Sequence, residues 1–147
     1  MGNAAGCGVQ ALPTLESILP GGGQGITLAL LKHLVRQHPE VEGMMTHEVI
    51  AQVIKPATAA AHVSYTELLG VQVDEASGVP FVSATPHCMI SHAWACPFST
   101  FVGAIEAHVT EQPGGGVRYY MLIDMFALNQ HALASVCAHA APFALLR

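Results

Sequence analysis

The first clear period along the chain is helical. Leu28, Leu30, Leu31, Leu34 and Val35 return every three or four positions after Thr27, which predicts an amphipathic helix over 27–38 that Pro39 closes. A second helix is predicted behind Thr46 as cap, with Glu48 in its first turn. Val49, Ile50, Val53 and Ile54 form its apolar face until Pro56 ends or kinks it. Ser64-Tyr65-Thr66-Glu67 reads as a capping box in front of Leu68-Leu69, and Gly70 stops that short helix. The texture changes near Val79. Residues 79–83 and 87–91 are short apolar runs separated by Thr85-Pro86, the pattern of buried strand entering a turn. Pro97 then opens a helix whose Phe98, Phe101, Val102, Ile105 and Val109 share one face. Gln112-Pro113-Gly114-Gly115-Gly116 stops it, and 117–123 follows as a run apolar on both faces, as in a covered parallel strand. Strand, crossover helix and strand make a βαβ unit, expected to be right-handed.

Three regions are expected from this pattern. Residues 1–25, rich in Gly, Ala and Pro, read as a flexible leader; 26–78 form a helical preface; 79–147 form a partial α/β domain. The glycines of Pro20-Gly21-Gly22-Gly23-Gln24-Gly25 precede a helix but lack the lysine of a phosphate loop, and no strand is read before them. Residues 125–147 are too few to finish a doubly wound sheet, so an incomplete domain is expected.

Composition narrows the class. With 147 residues, 52% hydrophobic, 10% charged and a mean hydropathy of +0.45, the chain is long enough for one domain with a core. Alanine supplies much of the apolar count, and no run of about 18 to 20 strongly apolar residues reads as a membrane span. Net charge is -5, and Lys32, Arg36, Lys55, Arg118 and Arg147 are scattered, which leaves no cationic stripe for nucleic acid. Cys7, Cys88, Cys96 and Cys137 stand in a chain whose start lacks a secretory pattern, so reduced thiols and a cytoplasmic location are expected. Gly2 and Cys7 offer sites for two lipids and hence membrane association, although position 6 is Gly and no basic cluster follows.

Chemistry is expected at one edge. In a parallel pair both carboxyl ends lie on the same side, where open α/β sheets bind ligands. Ser91, His92 and Trp94 after the first strand therefore meet Asp124, Asn129, Gln130 and His131 after the second, with the positive end of the helix opened by Pro97 aimed at the same crevice. Each has a structural alternative: Asp124 as a turn cap, Asn129 as a partner for backbone donors, Trp94 as a cover for the sheet edge. Cys88, His92 and Cys96 are the lesser metal candidates, with His87, His131, Cys137 and His139 around them. Their x3 spacing shares a face only in a helix, and no CxxC exists, so no metal is assigned and a zinc-stabilised small domain is the last of the readings. A Ser or Cys nucleophile with His92 or His131 and Asp124 has no GxSxG elbow behind it, and catalytic residues stay unassigned.

Met89-Ile90-Ser91-His92-Ala93-Trp94, followed by a helix and then Leu122-Ile123-Asp124-Met125-Phe126-Ala127-Leu128-Asn129-Gln130-His131, resembles the "SHAW … D-x-F-x-x-NQ" pattern of large algal and protist families. Those are similar to Toll/interleukin-1 receptor (TIR) domains and to the fungal heterokaryon-incompatibility domain. Residues 45–49, 55–58 and 64–69 resemble the lead-in of that group, so the likeness covers roughly 44–131. It implies a flavodoxin-like parallel sheet, homotypic assembly as a signalling or protein-interaction module without a bound cofactor, and in some relatives NAD as a substrate whose nicotinamide–ribose bond is cleaved. The glutamate of that hydrolysis belongs to a later helix of the family, and Glu106 and Glu111 do not correspond to it. The module is the leading expectation and the NAD hydrolase the alternative, for which Asp124 or another acid would stabilise an oxocarbenium-like transition state.

Overall fold

The computed structural model describes residues 14–139. In chain order these form α1 (Leu15–Ile18), β1 (Gly25–Ile26), α2 (Leu28–Gln37) and α3 (Thr46–Val49), which widens to a π-helix over Ile50–Ile54 and continues as α4 (Lys55–Thr58). Then come α5 (Tyr65–Leu69), β2 (Val82–Ser83), β3 (Cys88–Ile90), α6 (Phe98–Thr110), β4 (Met121–Ile123), α7 (Asp124–Ala127) and α8 (Gln130–His139). Gly2, Cys7 and Phe143 lie outside the described residues.

The helices follow their local signals. Thr27 caps α2 by accepting from the Leu30 amide, and Ser64 and Glu67 close the expected capping box on α5. Pro56 does not end its helix. A proline lacks the amide proton and crowds the carbonyl four residues back, and the wider π turn just before it opens room for the ring.

The α/β class and the parallel β3–β4 pair are as expected, with Cys88, Met89 and Ile90 opposite Met121, Leu122 and Ile123. The sheet as a whole is mixed, in the order β2-β1-β4-β3, because β1 runs antiparallel to both of its neighbours. That strand corrects the described part of the expected leader, residues 14–25. Gly25 and Ile26 sit inside the sheet, α1 precedes them, and the Ile18 carbonyl accepts from the Asn129 amide at 2.7 Å. Gly23 lies so close to Leu122 that a Cβ there would come within 2.3 Å of its Cδ1, so the glycine stretch covers one face of β4.

Two strands are shorter than their apolar runs. Residues 79–81 pair back on 72–74 instead, with the Phe81 amide donating to the Gln72 carbonyl and the Asp74 amide to that of Val79. Val117, 52% exposed, belongs to the turn after α6, where the Tyr119 amide bonds to the Gly116 carbonyl.

One core joins the expected preface to the strand region. Ile26, Leu30, Leu31, Leu34, Val49 and Ile54 are buried together with Phe98, Ile105, Val109, Met121, Ile123 and Phe126. Among the described residues no helix is long and apolar enough to cross a membrane.

Candidate functional site

The loop after β3 is held by the start of α3. Thr46 is fully buried, and its hydroxyl donates to the Trp94 carbonyl at 2.6 Å and lies 3.0 Å from that of Ala93. Its amide reaches the Cys96 carbonyl at 2.9 Å, while the His47 amide and Nδ1 both donate to the Trp94 carbonyl. A carbonyl only accepts, so His47 carries its proton on Nδ1 in this contact. Thr46 was expected to cap its own helix. Instead Glu48 accepts from the Met45 amide at 2.7 Å, which frees the Thr46 hydroxyl for the loop. No local pattern foretells this role, since the partners lie 47 and 48 residues away.

The His92 side chain is enclosed, 4% exposed. Its ring packs on Phe101 with centroids 4.7 Å apart, and Nδ1 lies 3.4 Å from Asp124 Oδ1. Neither ring nitrogen makes a hydrogen bond with a described residue, so no hydroxyl or thiol among them is paired with it as a nucleophile. Asp124 opens α7, and Oδ1 accepts from the Met125 amide at 2.7 Å. The parallel pair thus brings His92 and Asp124 together. Ser91 is exposed, and its side chain bonds to no described residue.

Asn129 takes its structural alternative. Its Oδ1 accepts from the His131 and Ala132 amides and caps α8, while Nδ2 donates to the His62 carbonyl at 2.8 Å. Gln130 is buried, with Nε2 3.5 Å from the carbonyls of Asp124 and Met125. His131 turns toward α4. Its Nε2 lies 2.9 Å from Thr58 Oγ1, whose hydroxyl donates to the Ile54 carbonyl, so Nε2 is the donor. The ring also packs on His62 at 4.8 Å.

Burial, then the neighbouring His62 and Lys55, lower the pKa of His131. A histidine that holds its proton less well folded than unfolded costs stability as pH falls through the unfolded value of about 6.5, because the unfolded chain gains the proton first. His131→Gln is expected to flatten the fall in melting temperature between pH 7 and the acid range. An unchanged slope would assign that fall to other groups.

Cys88 and Cys96 are free thiols, and among the described residues no three His, Cys, Asp or Glu side chains converge at metal-binding spacing. Cys88 is engaged with Tyr119, whose phenol is pushed up first by that hydrogen bond and then by burial. Cys96 Sγ sits 3.5 Å from the Pro97 carbonyl. The side chains of Cys137 and His139 lie outside the described ones.

Trp94 differs from its neighbours in the motif, for its carbonyl is fixed while its indole is 45% exposed. It lines a cleft of about 250 Å³ with His47, Ile50, Lys55, Gln130 and Leu133. Larger clefts of about 380 and 450 Å³ lie along α2, lined by none of the motif residues.

No family model, curated protein or solved structure matches the chain. Sequence reasoning reached His92 and Asp124 through topology, but missed Thr46, Phe101 and Lys55, whose contributions depend on contacts far along the chain.

Proposed function

We propose that the chain acts as a TIR-like protein-interaction and signalling module that assembles through homotypic contacts in the cytoplasm. The observation that carries this reading is the open edge of the sheet. Among the described residues β3 is the outermost strand and pairs with β4 alone, and Met89 at its centre is 74% exposed. An unpaired strand edge with an exposed apolar side chain is a template for another chain. The motif supports the same reading at one residue, since the Trp94 carbonyl is held by Thr46 and so braces the loop that follows β3.

The test is the mass of the purified chain by size-exclusion chromatography with light scattering over a range of concentration. A dimer or larger species is expected, and Met89→Lys is expected to return it to a folded monomer with an unchanged far-ultraviolet circular-dichroism spectrum, because Met89 is exposed in the single chain. A wild-type chain that stays monomeric at every concentration would overturn the reading. The resemblance also carries the NAD-hydrolase alternative; nicotinamide release from NAD that Asp124→Ala abolishes would move the assignment there.

A further inference from the structure

The cleft beside Trp94 has features that assembly through β3 does not use. Its walls come from two helical stretches, with His47, Ile50, Ala51 and Lys55 on one side and Gln130, Leu133 and Ala134 on the other. Ile50, Ala51, Leu133 and Ala134 make much of the lining apolar. The Trp94 backbone is held at His47, which bonds its carbonyl. Lys55 is eight residues along, roughly 12 Å at helical rise. The two ends differ in chemistry, an indole face at one and an ammonium at the other. Lys55 pairs with no carboxylate among the described residues. With Nδ1 of His47 committed to the Trp94 carbonyl, Nε2 is left as an acceptor or, once protonated, a donor.

We propose that this cleft binds a small planar aromatic carboxylate, its ring stacked on Trp94 and its anionic group on Lys55. A cavity of about 250 Å³ lies below the size that drug-sized ligands occupy, which limits the occupant to one or two fused rings with a short acidic arm. Stacking on an indole selects a flat ring over a saturated one. Lys55 selects the anion over its neutral analogue, and its positive charge already lowers the proton affinity of His131 nearby. The proposal stands independently of assembly through β3.

The chain has one tryptophan, so a single indole N–H signal in a ¹H–¹⁵N spectrum of the full protein reports on the site. Phenylacetate is titrated into the millimolar range, beside phenylacetamide, which keeps the ring and loses the charge, and cyclohexylacetate, which keeps the charge and loses the plane. A saturating shift of the Trp94 signal is expected with phenylacetate, and both analogues are expected to bind at least about fivefold more weakly. Lys55→Gln is expected to weaken phenylacetate by about the same factor, while Lys32→Gln, on α2 and away from the cleft, leaves it unchanged. Bound anion is also expected to raise the pKa of His131, read from its ring protons. A shift that never saturates, or one equal for all three compounds, would overturn the proposal, as would undiminished binding by Lys55→Gln. The oligomer mass plays no part in these readouts, so failure here and failure of the assembly reading are separate results.

Discussion

Gly116→Ala is expected to destabilise the chain by roughly 3 kcal/mol, the sum of a left-handed backbone penalty and overpacking. Gly116 has a φ of +70°, and a Cβ there would lie 2.3 Å from both the carbonyl oxygen and Cγ1 of Val109. Val109 is fully buried near the end of α6, so its backbone cannot retreat without disturbing the helix face that packs on the sheet. Gly114 in the same turn provides the control. Its φ is +67°, but a Cβ there meets nothing within 4 Å, so Gly114→Ala is expected to cost only about 1 kcal/mol. Urea unfolding of the two variants separates the terms. Equal losses would mean that the close approach to Val109 contributes nothing beyond the dihedral.

Phe98→Ala is expected to cost about 3 to 5 kcal/mol, as for other buried aromatic truncations. Phe98 is fully buried at the first turn of α6, and its amide ties the helix to the Met44 carbonyl at 2.9 Å. Its ring lies 6.1 Å from that of Phe101, which in turn supports His92. The truncation is therefore expected to loosen the floor under His92 as well as the core. Phe98→Leu, which keeps most of the volume, is expected to cost less than about 1.5 kcal/mol. Hydrogen exchange of the 91–96 amides gives the second readout: faster exchange in Phe98→Ala than in a variant of equal stability elsewhere is the expected result. Equal exchange would show that α6 and the loop are supported separately.

The helices were legible in the sequence because their signals are local. Thr27, Ser64 and Gly70 mark ends within one turn of the residues they affect, and the spacing from Phe98 to Val109 is complete in itself. Strands were legible only where a run of apolar residues was long enough to see. β1 escaped because it is two residues long inside a glycine-rich stretch, and what makes it a strand is its pairing with Val82-Ser83 and Met121. The run 117–123 predicts too long a strand for the opposite reason: Val117 is apolar, yet the left-handed glycines before it hold it in a turn.

The site divides in the same way. From its sequence alone this protein is an α/β chain with a parallel pair joined by α6, and a parallel pair places His92 and Asp124 on one edge whatever else surrounds them. Only the tertiary structure decided that Thr46 braces the loop, that Asn129 and His131 face the helical segments rather than the crevice, and that Lys55 stands along a cleft from Trp94. Helical periodicity and capping are set by neighbours within four residues. Pairing partners and buried hydrogen bonds are set by segments tens of residues apart, which meet only when the core closes around them.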